Sequence, residues 1–401
     1  MTSLNPRGDN SAHSSWLIVG AGIVALAVAM GVGRFAFTPM LPLMLRDGTI
    51  TAATGAEWAA ANYAGYLIGA LTSARFSHNP RLGLLVALFG VAAVTPAVAL
   101  LDPGASALPG MLLRAIAGVF SAWVLVCASS LCLAELARRH AAKAGGWIYT
   151  GVGTGIALTG TLTWLGGRQP AAFLWVELGL LAAAGACAVL FWLKPLSGNV
   201  PAAPIRRAGR SREAPGDRNR TRAFVLCYGT FGFGYIVLAT FLPTMAREQV
   251  ADPLVFGLTW PLFGLAAALS VGAAARWLPD SPRRKVWALA QGAMALGTAL
   301  TLFTHALWAL ALSAVLVGGT FMVCTMAGLQ LARELTPDNP TPLLARMTVA
   351  FAAGQIAGPL CVRFIGSGIQ WGWGALAWTN ALATILLAAS AFWLWLGDRG
   401  Q

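Results

Sequence analysis

Apolar residues run through the 401-residue chain in long blocks, each closed by a short polar cluster. Twelve such blocks cover residues 16–45, 55–77, 81–101, 107–136, 142–166, 170–193, 222–246, 253–277, 284–304, 306–334, 342–366 and 373–396. A helix of about 20 residues crosses a hydrocarbon core roughly 30 Å thick. The pattern therefore predicts an all-α polytopic membrane protein with twelve transmembrane helices. The polar residues 1–15 predict an N-terminal tail, and residues 397–401 a C-terminal one. One polar stretch is much longer than the others. It runs from Lys194 to Arg222 and is rich in Pro, Gly, Ala and Arg. Such a composition cannot bury a core, so residues 194–221 predict a flexible linker between bundles at 16–193 and 222–396.

The two groups of six blocks repeat one another. Gly31-Val32-Gly33-Arg34 returns 201 residues later as Gly232-Phe233-Gly234-Tyr235, and Leu41-Pro42 returns as Leu242-Pro243. Ala74-Arg75-Phe76 matches Ala275-Arg276-Trp277 at the same spacing, while Leu133-Ala134-Glu135-Leu136 matches Ala332-Arg333-Glu334-Leu335 at 199. Gly155 and Gly354 share that second offset. An even number of spans per half makes this a parallel repeat, with its axis along the membrane normal.

Composition agrees with the pattern. The chain is 57% hydrophobic and 10% charged, against about a quarter charged in soluble domains. Its net charge of +13 raises the question of a nucleic-acid partner. Placement of the charges answers it. With a cytoplasmic N-terminus, 21 of the 27 basic residues fall in the tails and even-numbered loops, which is the positive-inside rule. The basic balance reports topology, with both termini cytoplasmic, and not nucleic acid. The six cysteines lie inside spans and form no C-x-x-C pair, so neither a disulfide framework nor a metal site is indicated. The four histidines are scattered, and no H-E-x-x-H or Walker A pattern occurs. The chain reads as a non-enzyme without a cofactor.

The twelve spans, the basic central linker and Arg114-Ala115-Ile116-Ala117-Gly118 in the fourth span resemble the major facilitator superfamily. Gly31 to Met44 and Ala61-Asn62-Tyr63-Ala64-Gly65-Tyr66-Leu67 further resemble its YbfB/YjiJ-like branch of bacterial carriers. The resemblance implies two pseudo-symmetric six-helix halves and secondary transport by alternating access. It also implies a monomer in the bacterial inner membrane, whose partners are lipid, a small substrate and a coupling ion. The superfamily commonly has an Asp-Arg pair after its second span. Here Ala74-Arg75 and Ala275-Arg276 keep only the arginine, so the usual charge relay in gating is in doubt.

An ionisable residue inside a span is costly and marks a functional site by default. Arg34 is the foremost case. Two readings stand: a planar fork for a substrate carboxylate or phosphate, or a structural arginine satisfied by backbone carbonyls. Thr38, Asn62, Tyr66, Tyr235 and Gln355 join it as candidate substrate contacts, with interhelical hydrogen bonding or packing as the alternative. Pro39, Pro42 and Pro243 bend their helices and, with Arg75 and Arg276, are candidate gating positions. The resemblance implies a proton-coupling role for Arg114, against snorkelling to the interface. Glu177 is the one carboxyl well inside a span. It is a candidate proton carrier, or a structural partner for Arg114 or Arg168. Arg363 reads as snorkelling, and Trp260 as packing or a ligand platform.

These positions predict carriage of a small organic anion, coupled to protons or another ion. Efflux of hydrophobic or cationic compounds is the alternative within transport, and it needs a pocket carboxylate from Glu177 or Glu57. A non-transporting membrane sensor is the alternative outside it.

Overall fold

The computed structural model describes residues 6–76, 79–102, 106–193, 215–278, 281–304, 306–336, 341–366 and 373–397. The first helix, α1 (Pro6–Leu26), passes through a π-helical stretch (Ala27–Phe35) into α2 (Phe37–Arg46). Then come α3 (Ala52–Thr72), α4 (Pro80–Ala97) and α5 (Leu108–Arg138). A 3₁₀ segment (Ala142–Tyr149) leads into α6 (Thr150–Leu165), and α7 (Ala171–Trp192) follows. Beyond the linker are α8 (Pro215–Gln249), the short α9 (Pro253–Phe256), α10 (Thr259–Trp277), α11 (Arg283–Phe303), α12 (Leu307–Leu335), α13 (Thr341–Ile365) and α14 (Ala375–Leu396).

Among the described residues, ten helical segments are long and apolar enough to cross a membrane. The expected second and fifth spans are absent from that set, for two different reasons. The α3 helix is 21 residues long but dilutes its hydropathy with Glu57, Asn62 and two tyrosines. The α6 helix has only 16 residues, because the chain before it is wound as the tighter 3₁₀ segment. Helix also begins earlier than the apolar pattern indicates, at Pro6 instead of 16 and at Pro215 instead of 222. Polar residues can extend a helix beyond its hydrophobic block, since propensity does not require apolarity. The rest of the expected linker, 194–214, and residues 398–401 of the expected tail lie outside the described residues.

Helix packing follows from small residues. The π-helical stretch lies on α6, where a Cβ on Gly31 would stand 2.4 Å from the Gly155 carbonyl carbon. No residue with a side chain fits there, so the backbones meet directly. α3 packs on α5, and α4 on both α5 and α7. Among the later helices, α8 packs on α13 and α14, and α11 on α12 and α14. Three seams join the two groups: α6 with α10, α3 with α13, and α2 with α8. Large apolar side chains such as Leu71, Leu100, Phe303 and Phe364 point outward, as expected where the surrounding solvent is lipid.

Candidate functional site

The π-helical stretch creates the site. Its wider turns shift carbonyls out of the regular ladder, and buried carbonyls require partners. Three neighbouring side chains supply them. Ser121 Oγ donates to the Ala29 carbonyl at 2.8 Å. Asn62 Nδ2 donates to the Gly33 carbonyl at 3.2 Å and to the Arg114 carbonyl at 2.8 Å. Arg114 Nη2 donates to the Arg34 carbonyl at 3.0 Å. A π-turn pairs a carbonyl with the N–H five residues on, and five residues after Arg34 stands Pro39, which has none.

Held in this way, the Arg34 side chain reaches across to the second group of helices. It is 5% exposed, and its Nη2 donates to Gln355 Oε1 on α13 at 2.5 Å. The Gln355 amide in turn donates to the Tyr235 hydroxyl on α8. The guanidinium carbon lies 4.0 Å from the Tyr66 ring centroid and 5.6 Å from that of Tyr63. Tyr235 is sandwiched between Phe321 and Phe351, with interplanar angles of 9° and centroids 5.5 and 5.7 Å away. Phe35 and Trp260 extend this aromatic wall, their centroids 6.3 Å apart.

The charges here are uncompensated. Neither Arg34 nor Arg114 forms an ion pair among the described residues. The Nε atoms of both arginines, and Trp260 Nε1, are buried without a hydrogen-bond partner. Removing one partner of a buried ion pair costs about 3–5 kcal/mol, and these two cations have no partner of that kind at all. The arrangement presents open donors and positive potential inside an aromatic enclosure.

Of the residues singled out from the sequence, Arg34, Tyr66, Tyr235 and Gln355 meet in this cluster. Thr38 and Asn62 lie beside it but are engaged elsewhere. Thr38 Oγ1 donates to the Ala239 carbonyl at 2.8 Å, linking α2 to α8, and Asn62 serves backbone carbonyls. Glu177 is not brought to Arg114. The α7 residue facing that guanidinium is Trp175, at 5.8 Å. Two residues further along a helix is a turn of about 200°, which directs Glu177 away. Arg168 also does not reach Glu177, and instead approaches Asp252 at 3.7 Å. Arg75 is exposed, donates to the Thr72 carbonyl at 3.1 Å and lies over Trp123, while Arg276 is exposed. Pro42 and Pro243 lie inside α2 and α8, and Pro39 lies in the first turn of α2.

Sequence reasoning missed the two ion pairs that join the groups of helices at the end of the bundle carrying Arg46. Arg363 Nε donates to Glu57 Oε1 at 2.9 Å, so Arg363 has a partner and does not simply snorkel. The second pair is Arg168 with Asp252. The repeat held the signal. A base closes the fifth block of one half and an acid opens the second block of the other, twice. Ser121 and Phe321 gave no comparable signal, since each is one of many such residues in an apolar helix.

The family model described as "Uncharacterised MFS-type transporter YbfB" matches residues 26–394. The chain belongs to this branch of the major facilitator superfamily. It is therefore a multi-pass membrane protein of a transporter family and not an enzyme. No protein in the curated set matches it. Solved structures resemble this YbfB-type chain in fold. A variant of the nucleoside transporter NupG has a TM-score of 0.72 at 15% identity, covering 95% of this chain and 99% of its own. A D-xylose–proton symporter scores 0.70 at 14% identity over 95% and 97%. The human organic anion transporter MFSD10 scores 0.65 at 18% identity over 95% and 99%.

Proposed function

We propose that this YbfB-type protein is a secondary transporter for a small organic anion, bound between two six-helix halves at Arg34. The observation that carries the reading is the pair of buried arginines with no carboxylate partner. An anionic group placed on the open Nε edge of Arg34 would supply the missing counter-charge, and a guanidinium fork suits a carboxylate or phosphate. The Tyr66, Tyr235 and Phe35 rings favour a flat apolar body attached to that group.

Twelve crossings in two halves fit the repeat, with α3 and α6 crossing alongside the ten more apolar segments. Gly354 in α13 repeats the close approach of Gly155, since a Cβ there would stand 2.3 Å from the Gly229 carbonyl oxygen. The Arg139 end faces the cytoplasm on the positive-inside rule. The Arg46 end is then external, and ion pairs span the halves there. The sequence supplies no ATP-hydrolysing motif, so an ion or proton gradient supplies the energy.

Efflux of cations is the weaker reading. It needs a carboxylate near the binding cluster, yet Glu57 is held by Arg363 and Glu177 faces away from Arg114. The similar solved structures are transporters named for nucleosides, D-xylose and organic anions. Their fold is compatible with all three, so the choice rests on the site.

The test is thermal stabilisation of the purified protein by carboxylates, phosphates, sugars, nucleosides and amines. Acids should raise Tm with a saturable dose response, by mass action. The Arg34→Ala protein should elute as a folded monodisperse species yet lose that response. Stabilisation by neutral or cationic compounds alone, or an acid response intact in Arg34→Ala, sinks the proposal.

A further inference from the structure

A cavity of about 640 Å³ lies towards the Arg46 end, between α3, α8, α11, α13 and α14. None of the Arg34 cluster lines it. Thr244 on its wall is nine residues beyond Tyr235 along α8, a rise of roughly 14 Å. The walls are apolar, formed by residues such as Phe241, Met245, Leu302 and Val362.

Among the polar residues in the lining, two have a side-chain atom without a partner. Asn380 is 1% exposed. Its Nδ2 donates to the Thr298 carbonyl at 3.0 Å and to Thr301 Oγ1 at 2.6 Å. A carbonyl can only accept, so these bonds fix the amide orientation. The Asn380 Oδ1 is thereby left as a buried acceptor with no partner. Thr244 Oγ1 is likewise buried without a partner. At the rim, Arg363 and Glu57 neutralise one another at 2.9 Å, and Glu248 adds one acidic group. No cation among the lining residues is left to recruit an anion.

We propose that this cavity is a second binding site, for an uncharged molecule with a short apolar body and an N–H donor. The two N–H groups of a primary amide can meet Asn380 Oδ1 and Thr244 Oγ1, and the body fills the apolar walls. Because α3 belongs to one half and the other four helices to the second, an occupant bridges the halves beside the Glu57–Arg363 ion pair. It therefore holds the Arg46 end closed. The proposal is independent of the anion reading, since it shares no residue with the Arg34 cluster.

The probe is hexanamide, with N,N-dimethylhexanamide, which lacks the donor, and hexanoate as comparators. Each is titrated against the purified full-length protein while Tm is followed. Hexanamide alone should give a saturable rise. Asn380→Leu and Thr244→Val should each weaken its apparent affinity at least tenfold, whereas Arg34→Ala should leave it unchanged. Should Asn380→Leu fail to fold, Thr244→Val carries the same comparison. Equal shifts from all three compounds, no shift with hexanamide, or a hexanamide response intact in folded Asn380→Leu or Thr244→Val would each overturn the site.

Discussion

The guanidinium of Arg34 makes two kinds of contact, and they can be separated by substitution. Its charge-bearing fork meets Gln355, while its flat face lies on Tyr66. Lysine keeps the charge but neither the planar fork nor the stacking geometry. Arg34→Lys should therefore bind the anion at least tenfold more weakly while retaining some transport, whereas Arg34→Ala retains none. Titration calorimetry and uptake into proteoliposomes read the difference. A cation–π contact is worth about 0.5–2 kcal/mol, so Tyr66→Ala should weaken binding roughly 2- to 30-fold and Tyr66→Phe far less. Equal losses in the two tyrosine variants would assign Tyr66 to its hydroxyl instead of its ring. The residues of this cluster were legible as a set because polar side chains are rare in these spans. The duties of Asn62 and Arg114 were not. Their partners are backbone carbonyls, two of them in the π-helical stretch, and no side-chain pattern shows where a π-turn falls.

A helix element here is defined by what its backbone lacks. The first span runs through the π-stretch and then meets Pro39 and Pro42, and its Ala29, Gly33 and Arg34 carbonyls accept bonds from side chains of α3 and α5. Replacing Asn62 by leucine removes the side-chain donors to the Gly33 and Arg114 carbonyls and should cost about 1–3 kcal/mol, read as a lower Tm. Pro39→Ala has the opposite sign. It restores an N–H near the Arg34 carbonyl, and the recovered bond should add about 1 kcal/mol while slowing turnover, because a regular first span bends less readily. A Tm that falls together with activity would show that the proline is a packing residue and nothing more. The other end of the chain has a similar dependence. Arg284 donates to the Leu394 and Gly397 carbonyls at 2.8 and 3.2 Å, closing the C-terminus of α14. Hydropathy located nearly all these helices because each is apolar over a membrane's width. It placed α3 and α6 among the spans as well, although polar residues dilute the first and the 3₁₀ segment shortens the second.

The whole molecule has two related ion pairs at one end, Glu57 with Arg363 and Asp252 with Arg168. All four side chains are partly solvent-accessible, so each pair contributes about 1 kcal/mol or less to stability. In the proposed alternating-access cycle, such weak pairs would serve as a latch that opens at each turn. Neutralising both acids, as Glu57→Gln with Asp252→Asn, should barely change Tm. It should nevertheless raise the labelling rate of Thr240→Cys by an external impermeant thiol reagent, in a cysteine-free background. Unchanged labelling would remove the pairs from gating. The offsets of 201 and 199 made the internal repeat readable at long range. The two ion pairs follow the same repeat, Glu57 matching Asp252 and Arg168 matching Arg363 at an offset of 195, but no offset says which acid meets which base. The pairing emerges only when the halves are packed face to face.

The unpaired arginines also have an electrical consequence. A transporter whose binding cluster keeps positive charge when empty carries that charge through the membrane field as it reorients. One elementary charge crossing 100 mV corresponds to about 2.3 kcal/mol. A bound monoanion cancels part of that load. The empty return step should therefore respond to an imposed voltage more strongly than the loaded step. Net uptake into vesicles clamped by a potassium gradient should vary with potential, while one-for-one exchange of the same anion should stay nearly flat.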